Sequence, residues 1–211
     1  RSVSRGLGDV YKRQGSNSST ATTINIIGGT IKNATGTDGG AGIGGGKNSS
    51  GAANVNISSG EVHASTGSGN GGAAIGGGKN SSGETKVNIT GGKVNASTGY
   101  GNGGAGIGSG ESAKGETHVT ISNASVSTLE SSNASYTNAS GAGIGTGYGS
   151  QSNADITIER NSTVNAVGGS GAAIGSGSEG DVLSRPTGDP NTFKTIIRIT
   201  DSNVTASSGP S

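Results

Sequence analysis

The chain has 211 residues, of which 45 are glycine and only 2% are aromatic, and its formal net charge is +1. It contains no cysteine, which excludes disulfides and thiolate metal sites within the sequence. Neither an extended basic run nor an apolar stretch of about 18 residues is present, so we expect no nucleic acid partner and no direct membrane insertion.

The first 14 residues, RSVSRGLGDVYKRQ, contain no element of the pattern that follows. They resemble an in-frame translation of sequencing-adapter sequence, so we interpret residues 1–14 as a non-native, disordered scar on a metagenomic gene fragment. A signal peptide is the alternative, but the polar segment GSNSSTATT follows where an apolar segment should be. Without the scar the net charge is −2. Residues 15–22 are predicted to lead into the folded domain.

An internal repeat of about 32 residues occupies residues 23–211. A fixed period of this length is typical of stacked supersecondary units. Five full copies are present, and a sixth begins at Thr195. Each full copy contains a short Gly-Ala-Gly/Ala-Ile-Gly phrase, and these phrases end at Gly44, Gly76, Gly108, Gly145 and Gly175.

Within each copy, short runs alternate apolar and polar residues, as at residues 87–89 (VNI) and 94–96 (VNA). This period of two predicts strands buried on one face, and the glycine pair at 91–92 predicts the corner between them. A third run at 105–107 (AGI) adds a narrow side, where small residues let backbones approach. The sequence therefore predicts an all-β fold: a right-handed parallel β-helix (β-solenoid) of about five full coils plus a partial sixth.

The inward side chains of successive copies are predicted to form continuous columns in the core. One coil alone buries too few aliphatic side chains to offset the cost of ordering its backbone, about 1–2 kcal/mol per residue. Coils stacked about 4.8 Å apart share ladder hydrogen bonds and one core. The predicted core isoleucines are Ile26, Ile57, Ile89, Ile121, Ile158, Ile43, Ile75, Ile107, Ile144 and Ile174.

Several motifs that resemble chemical sites are explained better by the repeat. Residues 40–45 match G-x-G-x-x-G, but the phrase recurs and no helical pattern follows, so we expect no nucleotide. Asp38 has no carboxylate counterpart in later copies, which argues against a calcium ladder. His63 and His118 lie at different places of the repeat without a second ligand, and we interpret them as surface residues. No metal or cofactor is expected.

Many β-helix proteins cleave polysaccharides, an activity that needs clustered carboxylates or a basic residue on one strand face. The acidic residues here are scattered, and Asp155 and Glu159, which bracket one strand, come nearest to such a pair. Solvated surface charge explains them better, so we name no catalytic residue and predict that the chain is not an enzyme. A fragment of a β-helix polysaccharide-degrading enzyme remains the alternative function.

Two insertions, residues 128–140 and 178–194, lengthen corners of the fourth and fifth coils. Insertions into repeats map to loops at coil edges, where binding often occurs. Tyr100 and Tyr136 fall at the same corner of neighbouring coils, so they are candidate contacts for the face of a sugar ring. Two surface tyrosines that pack over the rim are the simpler alternative.

The repeated phrase G-x-V-x-A, as at residues 92–96, together with GAGIGGG, as at residues 40–46, has a family resemblance. It resembles Gly-rich repeats in large cell-surface, adhesin-like proteins of Gram-positive gut bacteria, some labelled carbohydrate-binding. The resemblance implies a non-catalytic extracellular structural or adhesive module that makes weak contacts with host or cell-wall glycans through edge loops. It transfers no functional residue to this chain. Neither end of the repeat has a polar cap, so we also expect end-to-end self-association.

Overall fold

A computed structural model of the chain describes residues 2–4, 12–13, 15–67, 69–99, 103–128, 141–178 and 193–208. The regular elements of these ranges are all strands. In chain order they are β1 (Ser2–Ser4), β2 (Lys12–Arg13), β3 (Thr22–Gly36), β4 (Ile43–Gly44), β5 (Ala53–Thr66), β6 (Ile75–Gly76), β7 (Thr85–Ile89), β8 (Lys93–Ser97), β9 (Ile107–Gly108), β10 (Thr117–Ser122), β11 (Ser125–Thr128), β12 (Ile144–Gly145), β13 (Ala154–Glu159), β14 (Thr163–Gly168), β15 (Ile174–Gly175), β16 (Thr195–Ile199) and β17 (Asn203–Ser208).

The strands of the described ranges pair in parallel with the equivalent strands of neighbouring coils. The first half of β5 pairs with β7 and its second half with β8, so β5 turns a corner and contributes to two faces of its coil. One face ends with β13 and β16, the second with β14 and β17, and the third is the narrow sheet β15-β12-β9-β6-β4-β2. Three strands per coil, each stacked on its equivalent, make this chain a parallel β-helix, which confirms the predicted fold class.

The predicted core isoleucines lie in two aligned columns. Ile57 pairs with Ile89 on the first face, and Ile75 pairs with Ile107 on the narrow face. Nine of the ten predicted isoleucines are less than 4% exposed, and Ile174, on the last narrow strand, packs against the core while partly buried. Each fully buried isoleucine contributes about 1.5–3 kcal/mol of gross stabilisation, and stacking continues this contribution from coil to coil.

A column of glycines allows the narrow face to exist. Gly44, Gly76, Gly108 and Gly145 all have φ between 131° and 137°, a region that side chains disfavour. A Cβ on Gly108 would overlap the carbonyl oxygen of Gly145 in the next coil. That carbonyl accepts a hydrogen bond from the Ser109 N–H at 3.0 Å, so the close approach is part of the ladder. The repeated Ile-Gly pair therefore places a buried side chain beside a position with no room for one.

Asparagines stack along the outside of the rod in two places. On the first face the Asn88 amide donates to the Asn56 side-chain oxygen, and the Asn56 amide donates to that of Asn25, both at 2.9 Å. At a turn, the Asn80 amide donates to Asn48 at 3.2 Å, and both residues have left-handed φ values near 55°. Asparagine tolerates this backbone region better than most residues, which explains its recurrence at the turn.

Because Asn56 both donates and accepts, Asn56→Ala removes two hydrogen bonds of the first-face ladder. We expect a loss of roughly 1–3 kcal/mol, since each such bond contributes about 0.5–1.5 kcal/mol. Asn54→Ala is the matched control, because Asn54 lies two residues earlier on the same outward face and its side chain makes no hydrogen bond within the described part of the chain. Urea unfolding monitored by circular dichroism measures both changes. Equal effects of the two substitutions would contradict a stabilising ladder.

One extra residue distorts the first coil. Ile31 pairs with Val62 and Ala34 pairs with Ala64, so Lys32 and Asn33 together oppose His63. Two residues against one is a β-bulge, which breaks the outward column at this point while leaving the inward Ile31 and Ala34 buried.

The N-terminal end of the rod differs from the sequence prediction. Residues 1–14 were expected to be disordered, yet Ser2–Ser4 pairs with β3 and Lys12–Arg13 pairs with β4. At these five residues the backbone is paired; for the rest of the segment, which lies outside the described residues, disorder stays a prediction. The physical reason is that the first coil presents unpaired backbone groups, which an extended segment of almost any sequence can satisfy.

Candidate functional site

A cavity of about 370 Å³ opens at one corner of the rod, between the turns of the first two coils. Residues 36–39 form one wall, and Gly67, Gly69 and Asn70 contribute to the other. Lys47 and Lys79, which follow the Gly-Gly-Gly phrases of these coils, complete the lining. The cavity is therefore a product of stacking, because each wall belongs to a different coil.

Asn70 fixes the spacing between the two turns. Its Nδ2 donates to the Gly40 carbonyl at 3.0 Å, and its Oδ1 accepts the N–H of Gly39. Asn70 is 8% exposed, and both polar ends of its amide are used within the protein. It therefore ties one coil to the next and shapes the cavity, and its amide is already satisfied without a ligand.

The lysines are held by the same corner. Lys79 donates its backbone N–H to the Gly39 carbonyl at 2.7 Å and its ammonium to Glu111 at 2.9 Å. The aliphatic stems of Lys47 and Lys79 lie over Gly39 and Gly71, where a Cβ would come within about 3 Å of them. Packing of the stems over these glycines places both lysines in the lining of the cavity, while Glu111 of the third coil holds the Lys79 ammonium.

Two opposite charges at the cavity have no partner. Among the described residues, neither the Asp38 carboxylate nor the Lys47 ammonium makes a hydrogen bond or an ion pair, although both line the cavity. Asp38 is exposed and has a left-handed φ of 54°, which turns the chain at the mouth. A free carboxylate that accepts and a free ammonium that donates match a ligand carrying hydroxyl groups, because each hydroxyl can do both.

A row of equivalent positions extends the site along the corner. Four residues each follow the Gly/Ala-Ile-Gly phrase of their own coil, and we call them the corner row: Lys47, Lys79, Glu111 and Tyr148. The Tyr148 N–H donates to the Gly103 carbonyl at 2.9 Å, as the Glu111 N–H donates to Gly71 at 2.6 Å. The row spans three inter-coil steps, about 14 Å. It thus combines charged groups with one partly buried aromatic residue.

Sequence reasoning missed this site for an identifiable reason. The candidate tyrosines were sought before each Gly-Ala-Gly-Ile phrase, whereas Tyr148 lies after it. Tyr100 and Tyr136 lie outside the described residues, so their proposed sugar contacts remain predictions. The lysine positions carried a detectable signal, because Lys47 and Lys79 are 32 residues apart in identical surroundings.

Asp155 and Glu159 are on one strand but not in one site. Each pairs with an arginine: Asp155 accepts a hydrogen bond from Arg198 in the next coil, and Glu159 forms an ion pair with the neighbouring Arg160 at 3.3 Å. Four residues of strand separate the two carboxylates by about 13 Å, beyond the roughly 5–9.5 Å of glycosidase pairs. These two carboxylates therefore do not form the pair that glycoside hydrolysis requires.

Both histidines have acidic neighbours that the sequence interpretation overlooked. His63 lies 3.2 Å from the Glu61 carboxylate, and His118 lies 3.5 Å from that of Glu116. In each case the glutamate is two residues earlier, hence on the same strand face, and this spacing was readable from the sequence. A hydrogen bond from Lys93, and a second one with His63, lower the pKa of the Glu61 carboxyl below its ordinary value. Both histidines are partly exposed, in agreement with surface positions.

In the ranges that the structure describes, no group of three or more His, Cys, Asp or Glu residues is arranged to hold a metal ion. Nor does that part of the chain contain a helix with the length and apolar character needed to cross a membrane.

Comparison with known families agrees with the stacked coils. Residues 24–47, 55–79, 87–111 and 160–178 match the model of a family described as Beta helix repeat. The first three matched segments begin and end at equivalent positions of their coils, and each ends at a member of the corner row. The fourth coil, which holds the insertion at 128–140, is not matched. No curated protein and no solved structure matches the chain.

The stacked parallel strands and the matched repeats together define the class of protein. The chain is a β-helix repeat module, whose parallel strands stack in register around an aliphatic core. The matched segments cover less than half of its length, and through them its repeats are similar to the Beta helix repeat family.

Proposed function

We propose that this repeat module is a non-catalytic, extracellular structural or adhesive part of a bacterial surface protein, and that it binds neutral glycans weakly at its corners. The observation that carries the proposal is the pair of unpartnered groups at the cavity, the Asp38 carboxylate and the Lys47 ammonium. Sugars present many hydroxyls that can satisfy an acceptor and a donor together. The Gly-rich surface repeats that the sequence resembles support the extracellular location.

The shape of the site suits a weak ligand. The cavity lies at an open corner, and its walls are mostly backbone and glycine, so little apolar surface is available for burial. Affinity then depends on a few polar contacts, each modest in water. A surface protein compensates by presenting many sites at once, because linked weak contacts act through effective concentration.

The direct test is titration of the 211-residue chain with neutral oligosaccharides of cellulose, mannan, xylan and mucin type, followed by NMR shifts or calorimetry. We expect at least one to bind, with shifts at the corner cavity. Lys47→Met and Asp38→Asn should each weaken that binding about tenfold or more, since a hydrogen bond to a charged group contributes roughly 1.5–3 kcal/mol.

Matched controls exist for both substitutions. Lys32→Met removes an exposed lysine of the first coil outside the cavity lining, and Asp201→Asn changes an exposed aspartate with a similar left-handed φ of 47°. Neither should alter the affinity. Absence of binding to every oligosaccharide, or equal losses in the control variants, would overturn the glycan proposal.

The same samples address the enzymatic alternative. Assays for newly released reducing ends on plant and mucin glycans should show no turnover. If turnover occurs and is abolished by Asp155→Asn or Glu159→Gln, the module is catalytic and the binding-only proposal fails.

A further inference from the structure

Among the residues that line the corner cavity, positive charge is in excess. Lys47 and Lys79 contribute two ammonium groups, and Asp38 contributes one carboxylate. By themselves these three side chains would give the site one net positive charge. Such a site would favour acidic sugars, because a charge in a cleft strengthens the attraction of the opposite charge. The preference of the cavity therefore depends on whether one of the two ammonium groups is neutralised.

Glu111 of the third coil neutralises Lys79 from outside the lining. Its Oε2 accepts a hydrogen bond from the Lys79 Nζ at 2.9 Å. The Glu111 side chain is 11% exposed and that of Lys79 is 30% exposed, so water and salt screen this ion pair less than they screen a pair on the open surface. With Glu111 included, the charges at the cavity balance.

The third coil holds the Glu111 carboxylate in place without a ligand. The Glu111 N–H donates to the Gly71 carbonyl at 2.6 Å, and the Glu111 carbonyl accepts from the Asn80 N–H at 2.8 Å. The carboxylate lies over Gly71, where a Cβ would come within 2.5 Å of its Oε2. Glu111 is therefore a positioning residue, which acts on the cavity through the charge of Lys79.

We propose that Glu111 sets the charge preference of the cavity, so that glycans without charge bind better than glycans that carry a carboxylate. This inference rests on the proposed function, because it takes the cavity to be the glycan site. An acidic sugar would be attracted by Lys47 but repelled by Asp38, and its carboxylate would lose part of its hydration. An uncharged hydroxyl can use both groups without that loss.

The test compares sugars that differ by a single carboxylate. Xylotetraose with and without a glucuronic acid branch, and lactose with and without a terminal sialic acid, are titrated into the 211-residue chain by calorimetry. The unsubstituted chain should bind the neutral member of each pair more tightly. Glu111→Gln keeps an oxygen that can accept from Lys79 but removes the charge. In this variant the ratio of acidic to neutral affinity should rise about tenfold, and added salt should reduce the rise.

Glu61→Gln is the matched control, because Glu61 also pairs with a lysine, Lys93, at 3.1 Å but lies outside the cavity lining. Its affinity ratio should equal that of the unsubstituted chain. The double variant Glu111→Gln with Lys79→Met removes both charges of the pair, so the ratio should return to its original value. Loss of structure alone would not restore the ratio, since the double variant lacks the same ion pair. Circular dichroism verifies that each variant is folded.

The outcomes separate this inference from the proposed function. If the unsubstituted chain binds a neutral sugar and Glu111→Gln leaves the ratio unchanged, or if Glu61→Gln raises it equally, the inference fails and the proposed function stands. If the unsubstituted chain binds none of these sugars but Glu111→Gln binds an acidic one, with NMR shifts at the cavity, the neutral-glycan proposal fails and the role of Glu111 is supported. Failure of every variant to bind any of them would overturn both.

Discussion

Replacement of Gly108 by alanine should destabilise the rod more than the addition of a methyl group at almost any other position. The backbone φ of 137° costs an alanine roughly 1–3 kcal/mol. In addition, the new Cβ overlaps the Gly145 carbonyl, and moving that carbonyl loosens its bond to Ser109. Overpacking of this kind adds about 1–3 kcal/mol. Urea unfolding of the variant should therefore show a loss of about 2–6 kcal/mol.

Gly175→Ala separates the two causes. Gly175 has nearly the same φ, 140°, but a Cβ there would meet the Ala172 Cβ at 3.2 Å and the Ile197 Cδ1 at 4.0 Å, and no backbone atom. This variant should therefore show the destabilisation caused by the unfavourable φ without the destabilisation caused by overlap with a carbonyl group. If Gly108→Ala and Gly175→Ala lose the same stability, the close approach of successive coils is not what the glycine column serves.

Ile121→Ala should cost about 2–5 kcal/mol of stability, the range for truncation of a buried isoleucine. Ile121 is fully buried between Ile89 and Ile158 of the adjoining coils, so a cavity forms inside the column and neither neighbour can fill it easily. Urea titration measures the loss.

The control for this truncation lies in the same column. Ile199 is equivalent to Ile121 but is 48% exposed, so Ile199→Ala removes less buried surface and should cost under about 1.5 kcal/mol at concentrations where the chain is monomeric. Equal losses for both variants would contradict a core column in which Ile121 is fully enclosed and Ile199 is half-exposed.

The repeat alone was sufficient to predict the coil. Alternating residues such as Val87 and Ile89 must point the same way in a strand, and copies 32 residues apart must stack to bury them, so the aligned columns follow from periodicity. The cavity at the corner and its charged groups could not be predicted from this periodicity. The cavity depends on the distance between two turns in different coils, and hydrogen bonds between the coils, from the Asn70 side chain and the Lys79 backbone, hold that distance. No local sequence pattern predicts these bonds.

The covered first coil could not be predicted either. Residues 2–4 and 12–13 have no repeat signal, and their pairing depends on backbone groups that every sequence possesses. The bulge at Lys32 and Asn33, by contrast, was visible as one extra residue between Ile31 and Ala34. Pattern reasoning therefore succeeds where side-chain identity repeats and fails where a contact depends on backbone alone.

The in-register pairing of equivalent residues has a consequence for how such a protein can change. Since each winding meets its neighbours through the same aliphatic and glycine positions, a duplicated or deleted unit of about 32 residues leaves every remaining junction intact. The length of the rod can then change in steps of about 4.8 Å, while the side chains of the core stay the same. A gene that gains or loses copies by recombination would thus alter how far the module extends, while its stability per winding stays unchanged.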